Sequence, residues 1–348
     1  MSWNKEMPAN PVVAVAGATG AVGQEFLKVL HDLDFPAAEV RALASAKSAG
    51  KKLAFEGCGL VPAGELVVQE MTADAFAGVD IALFSCGASV SKEMREAVIA
   101  AGAVMVDNSS AFRMEEGVPL VVPEVNPQDA LTHSGVIANP NCSTIQMVVA
   151  LKPLYDLAPI KRVVVSTYQA ASGAGAYAMD ELFNQSREFL DGKDLTIEHF
   201  KHRIAFNCIP HIDVFMEDGY TKEEWKMVVE TNKIMGDDNI VVAPTCVRVP
   251  VLRCHAESIN VEFTSEVSLE AARAALAAAP GISLLDDCDA CEYPMPGLLE
   301  GTNATYVGRL RKDPSVEYGL ALWVVADQIR KGAALNAVQI AQLLVPAV

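Results

Sequence analysis

At 348 residues the chain is too long for one ordinary hydrophobic core, so two domains are the default expectation. Hydrophobic residues at 51% and charged residues at 20% exclude a disordered chain, and no apolar run is long enough to span a bilayer. A net charge of −17 excludes nucleic acid and anionic membrane as natural partners, and it requires that any anionic substrate meet locally placed Arg or Lys.

The opening MSWNKEMPANP lacks the apolar core of an export signal, and eight cysteines without a tight framework of spacings read as reduced thiols. A cytoplasmic protein is expected. The first chemical signal is PVVAVAGATGAVGQEFLKVL, residues 11 to 30. Its apolar β-branched start predicts a strand, and Val22, Phe26, Leu27, Val29 and Leu30 mark one face of a helix. Between the two, Gly17, Gly20 and Gly23 recur every third residue. Glycines there permit a tight turn, let backbone N–H groups approach a phosphate, and let the helix pack closely on the strand. The turn, with Thr19, Ala21 and Val22, is the expected dinucleotide site.

A second strand is predicted at Val40 to Leu43, ending where an NAD-specific site carries an Asp or Glu for the ribose 2′-hydroxyl. Here ALASAKSAGKK supplies Ser45, Lys47 and Ser48 and no acid, which favours a 2′-phosphate and hence NADP; Lys51 and Lys52 read as solvated lysines. VDIALFSCG, residues 79 to 87, predicts a buried strand ending at Ser85, Cys86 and Gly87. A helix follows over 89 to 101, and AVMVDNSSAFR then reads as a strand running into a polar loop. This alternation predicts a doubly wound, Rossmann-type α/β domain with ligands at the carboxyl ends of its strands.

VIANPNCSTIQMVVAL, residues 136 to 151, puts Cys142 at a strand-to-helix junction. One reading is a small residue in a tight turn. The sharper reading is a thiolate stabilised by a helix N-terminus, hence a nucleophile. Beyond it the pattern changes. A strand opening the stretch 160–183, two strand-like runs within 239–265, and runs at 304–313 and 318–327 joined by a hairpin through Asp313-Pro314 predict an α+β domain built on a largely antiparallel sheet. The expected division is 1–140, joined by a returning C-terminal helix at 326–348, and a second domain at 141–325. No metal is expected. His199, His202 and His211 match no ligand template, and Cys288-x-x-Cys291 is one pair without a second.

GATGAVG, NSSAFR, NPNCST, STYQAASGAG, EEWK and RVPVLRCHAES, in this order, resemble aspartate-β-semialdehyde dehydrogenase of the bacterial type over nearly the whole chain. A related family, N-acetylglutamyl-phosphate reductase, shares the architecture but typically has Gly before the cysteine, where this chain has Asn141. The resemblance implies NADP-dependent, reversible reductive dephosphorylation of β-aspartyl phosphate to aspartate semialdehyde, on the route to lysine, threonine and methionine. It implies that Cys142 is acylated and that His255 is the acid–base catalyst. Arg113 and Arg248 would bind substrate anions, Glu223 and Lys226 would sit near the substrate amine and phosphate, Gln169 would orient the substrate, and Asn141 would shape the oxyanion site. Ser172, Gly173 and Gln328 would join Ser85 and Gly87 around the cofactor, in a homodimer or homotetramer. Reduction of another acyl phosphate or an acyl-CoA, a catalytically silent nucleotide-binding regulator, and a scaffold are the alternatives the residues leave open.

Overall fold

The computed structural model describes residues 5–346. The chain divides between Asn141 and Cys142, and again between Gly332 and Ala333, into two compact units. In the first unit, β1 (Val12–Ala16), β2 (Glu39–Ala44), β5 (Gln69–Glu70), β6 (Ile81–Phe84), β7 (Val104–Asp107) and β8 (Val136–Ala138) form one parallel sheet, and β3 (Lys52–Phe55) and β4 (Gly64–Val67) a separate antiparallel pair. The strand order is β5-β2-β1-β6-β7-β8. This is the dinucleotide-binding order, which reverses direction between β1 and β6. Helices α1 (Ala21–Asp32) and α2 (Ala88–Ala100) follow β1 and β6. Strands covered on both faces need continuous apolar runs, and β6 and β7 are buried at every position. α1 instead presents a stripe, Phe26, Leu27, Val29 and Leu30, to the same core.

The second unit opens with α3 (Cys142–Tyr155), β9 (Ile160–Gln169), α4 (Ala176–Leu190), α5 (Lys222–Met235) and β10 (Val241–Arg248). It continues with β11 (His255–Phe263), α6 (Leu269–Ala278), β12 (Ile282–Leu284), β13 (Thr305–Lys312) and β14 (Gly319–Ala326). The last helix, α7 (Leu335–Leu344), belongs to the first unit, where Leu335, Ala337, Val338, Ile340 and Ala341 enter the core. The second sheet has the order β10-β9-β11-β14-β13-β12. Its three central pairings are antiparallel, and the outer pairs β9–β10 and β12–β13 are parallel. The predicted hairpin joins β13 to β14, and the Asp313 carboxylate accepts bonds from the Ser315 amide and hydroxyl within it.

One pairing pattern positions the chemistry. Because β10 runs parallel to β9 and β11 antiparallel to it, the last residues of β9 and β10 meet the first of β11 at one end of the sheet. Arg248 pairs with Gln169, and Tyr168 with Ala256, which follows His255. Farther along, that face carries Val163, Val165, Ile259 and Val261 and packs against Met147, Ala150, Leu151 and Leu154 of α3, Met227 of α5 and Leu276 of α6. The polar residues occupy the end of a hydrophobic core. Among the described residues no helix is long and apolar enough to cross a membrane.

Candidate active site

In the first unit, β1 turns into α1 through Gly17, Thr19 and Gly20, and Ala21 and Val22 begin the helix. Gly17 has φ +85°, and a Cβ there would lie 2.5 Å from the Ser85 carbonyl oxygen. The glycine thus lets the end of β1 touch the end of β6 at the reversal point of the sheet, where ligands of open parallel sheets bind. A Cβ on Gly23 would lie 2.0 Å from the Gly17 carbonyl oxygen, so bare backbone closes the helix onto the turn. Gly20 precedes α1 and Gly87 precedes α2, and neither helix carries a side-chain cap. Their first-turn amides suit the pyrophosphate of a dinucleotide. Ser45 and Lys47 are exposed directly after β2, with Ser48 partly so. Sequence reasoning missed one neighbour: Glu70 of β5 pairs with Ala44, beside that loop. A two-residue strand has no pattern of its own to read.

In the second unit Cys142 is the first residue of α3 and is half-buried. Burial pushes the thiols of Cys58 and Cys86 up to about 11 and that of Cys254 up to about 12, with Cys246 also shifted upward. Those four are protonated and inert at neutral pH. Cys208, Cys288 and Cys291 are exposed thiols outside this cluster. Beside Cys142 lies Gly332, on which a Cβ would fall 2.7 Å from the cysteine Cβ. Gly332 sits in a π-helical approach to α7, where its amide bonds the Asp327 carbonyl at 3.3 Å. Asp327 in turn is held by Arg253 at 2.7 Å and by the amides of Gly301 and Ile329. Neither Gly332 nor its anchor was anticipated from the sequence.

The sheet end brings together most of the predicted residues of this unit. The Arg248 guanidinium donates from Nη1 to the Ala170 carbonyl at 2.7 Å and lies within electrostatic reach of Cys142 and Glu223. The Gln169 amide donates to Glu223 Oε1 at 3.1 Å. Lys226 bonds Glu223 Oε2 at 3.0 Å and Asp213 at 2.7 Å. Burial works to lower the Lys226 pKa, but the two carboxylates outweigh it and the net shift is upward. Glu223 and Lys226, three apart on α5, therefore form a nearly buried pair rather than a solvated one, with Asp213 an unforeseen third member. His255 is fully buried. Its Nδ1 accepts the Ala170 amide at 3.0 Å, and its Nε2 has no protein partner. Gly173 completes this corner: a Cβ there would meet Arg248 Nη1 at 2.8 Å and His255 Nε2 at 3.1 Å.

Ser172 and Gln328 also meet, since the Gln328 amide donates to the Ser172 hydroxyl while its oxygen accepts the Cys254 amide at 2.8 Å. Arg113 and Asn141 belong to the first unit. Arg113 is buried, with Nε on the Asn139 carbonyl at 2.9 Å and Nη2 on the Asn108 carbonyl at 2.8 Å, so the ends of β7 and β8 together fix the guanidinium. Asn141 is buried at the end of that unit. His211 stacks on Phe215 and His199 on Tyr177, and among the described residues no group of three or more His, Cys, Asp or Glu could hold a metal.

Two family models match: semialdehyde dehydrogenase, NAD binding domain, over residues 12–133, and semialdehyde dehydrogenase, dimerisation domain, over residues 151–331. The chain is 56% identical to the aspartate-semialdehyde dehydrogenase of Aquifex aeolicus, covering 96% of this chain and 97% of that one. Among solved structures it is similar to aspartate semialdehyde dehydrogenase II from Vibrio cholerae complexed with ASA, at 47% identity and a TM-score of 0.92, covering 97% and 98% of the two chains. The aspartate semialdehyde dehydrogenase with NADP from Candida albicans matches at 27% identity and a TM-score of 0.72, covering 96% and 98%. A nucleotide-binding domain of dehydrogenase order and a second domain that opens on a cysteine at a helix start, matched at this identity over almost the full length, have one reading: the chain belongs to the aspartate-semialdehyde dehydrogenase family.

Proposed function

We propose that this chain interconverts β-aspartyl phosphate and aspartate semialdehyde, with NADP(H) and phosphate, through a thioester on Cys142. The observation that carries the reading is Cys142 at the start of α3, in electrostatic reach of the buried Arg248 and backed by a glycine with no side chain. A helix N-terminus and a guanidinium both favour the thiolate, and the first-turn amides can hold an oxyanion. The thiolate adds to the acyl carbon, the carbon–oxygen bond to phosphate breaks, and phosphate leaves with the electron pair. When bound, a nicotinamide nucleotide would supply the hydride, or take it back in the reverse direction. Collapse of the reduced adduct breaks the carbon–sulfur bond and restores the thiolate.

Arg248 and Arg113 bind the carboxylate and phosphate of the substrate, and their planar forks suit both. The Gln169–Glu223–Lys226 chain holds the amine and phosphate ends, with Asn141 near the oxyanion. The Gly17 to Gly23 turn would hold the pyrophosphate of the cofactor, and Ser85, Gly87 and Gly173 would contribute to its binding. Gln328 serves by holding Ser172. Ser45, Lys47 and Ser48 select NADP over NAD. The exposed aromatics Tyr177, Phe183, Phe189 and Phe206, on α4 and the segment after it, support assembly as a homodimer or homotetramer. With eight free thiols, we assign the enzyme to the cytoplasm, where it serves lysine, threonine and methionine synthesis.

Oxidation of aspartate semialdehyde should require NADP and phosphate together, and Cys142→Ala should abolish turnover while leaving cofactor binding intact. Near-normal turnover by that variant, or wild-type oxidation that ignores phosphate, overturns the reading.

A further inference from the structure

We propose that Asp327 is a positioning residue for the nucleophile: its buried carboxylate sets the π-helical turn that presents the bare backbone of Gly332 to Cys142. The inference rests on Cys142 as the acylated thiol, as assigned above, and gives Asp327 no contact with substrate.

A carboxylate offers about four lone-pair sites on two oxygens, and here donors from three segments fill them. Oδ2 accepts the Gly301 amide at 2.7 Å and faces Arg253 Nε, also at 2.7 Å. Oδ1 accepts the amides of Ile329 at 3.0 Å and Arg330 at 3.3 Å. Arg253 lies just before β11 and Gly301 just before β13, so one fully buried side chain ties both loops to the exit of β14.

The bonds to Ile329 and Arg330 are those of a helix N-cap, made two and three residues along the chain. They begin the turn at Asp327 itself. Its carbonyl then accepts the Gly332 amide, five residues on, at 3.3 Å. That is π geometry, with one residue more in the hydrogen-bonded turn than an α-helix holds. In an α-helical turn the Gly332 amide would bond the Gln328 carbonyl instead, and residue 332 would leave its present bearing. The bearing matters, since a Cβ on Gly332 would lie 2.7 Å from the Cys142 Cβ and 3.1 Å from its Cα. Gly332 thus closes one side of the cysteine, while the Arg248 guanidinium stands within electrostatic reach of it. All these residues belong to the second unit, so the path from carboxylate to thiol runs within one compact body.

A buried carboxylate that only stabilised the fold would lower stability on substitution and leave the turnover of folded enzyme alone. Asp327→Asn separates the two roles, because the amide keeps the volume but turns half of the acceptor sites into donors, set against N–H groups. Assayed as folded protein, the variant should lose about 10–100-fold in kcat, the range for a slightly misplaced reacting group, with KM and NADP affinity within about threefold. Gly332→Ala disturbs the same contact from the other side, so the two changes should not multiply. The double variant should stay within about threefold of the worse single one, whereas independent effects would reach about 10²–10⁴-fold. Iodoacetamide supplies a readout free of substrate. Alkylation of Cys142 at neutral pH, followed on its own peptide by mass spectrometry, should slow at least about threefold in Asp327→Asn, as the thiolate loses its place beside Arg248. A wrong substrate assignment would abolish wild-type turnover and leave that comparison intact. Unchanged kcat, a loss confined to KM, multiplied effects in the double variant, or unchanged alkylation each overturns the proposal. Should the Asn variant fail to fold, Asp327→Asn with Arg253→Gln removes both charges together, and the same assays apply. Should that fail as well, hydrogen exchange of the wild type decides: the amides of Ile329, Arg330 and Gly332 should exchange as slowly as those of β14, and exchange at the rate of free loop amides overturns the proposal.

Discussion

Glu257 lies two residues beyond His255 on β11, faces the same core, and is fully buried. Gln146, one turn after Cys142 on α3, is close enough to lower its pKa slightly, yet no hydrogen bond of normal geometry joins the two side chains. Burial dominates, and the carboxyl titrates well above the ordinary value of 4.5. The native state therefore keeps a proton that the unfolded chain gives up once pH exceeds that value. With more protons bound in the native state, stability falls as pH rises from there toward the native pKa, by at most about 1.4 kcal/mol per unit. Glu257→Gln keeps the shape and removes the ionisation. Urea midpoints should show the variant more stable than wild type at pH 8, with the gap closing toward pH 5. A gap that is constant over this range would mean that Glu257 does not remain protonated in the native state. Cys142 stood out in the sequence by its place at a strand-to-helix junction and His255 only through the family segment that carries it, whereas the approach of Gln146 to Glu257 has no local signal, because the two lie more than a hundred residues apart.

At the scale of elements, local pattern located the long central strands and most helices but not the short β3, β4, β5 and β12 or helix α6, and other misses are tertiary. The parallel seating of β10 on β9 was unpredicted, because a strand's own alternation does not say which neighbour it will take. The tail read as one helix from Asp327, but its first turns are π-helical and tied to Asp327. That irregularity turns the Gly332 backbone against Cys142, a contact no spacing rule foretells. Gly332→Ala would place a methyl 2.7 Å from the cysteine Cβ and 3.1 Å from its Cα, so either α3 or the π turn must move. A misplacement near 1 Å costs about 10²-fold in rate, so kcat should fall between about tenfold and 100-fold. Circular dichroism and NADP affinity should stay close to wild type, which separates a displaced nucleophile from a collapsed fold. Unchanged kcat would show that the turn yields freely and that the close approach has no catalytic meaning.

Over the whole molecule the charge is −17, and the proposed cofactor is itself an anion. The field of the protein opposes both dinucleotides and opposes the 2′-phosphate most, since that group adds close to two negative charges. The proposed preference for NADP would then have to arise locally, from Lys47 and the hydroxyls of Ser45 and Ser48 at the end of β2, against the nearby carboxylate of Glu70. Charge-assisted bonds contribute roughly 1.5–3 kcal/mol each, and a tenfold change in affinity is about 1.4 kcal/mol, so one retained contact decides the preference. NADP should exceed NAD in kcat/KM by at least about tenfold in wild type. Lys47→Ala should weaken NADP and spare NAD. Ser45→Asp should narrow or invert the ratio by repelling the phosphate, and Glu70→Gln should widen it. Titration of both cofactors against the four proteins checks each step. Equal affinities in wild type would reduce this loop to a solvated turn and return the choice of cofactor to the rest of the site.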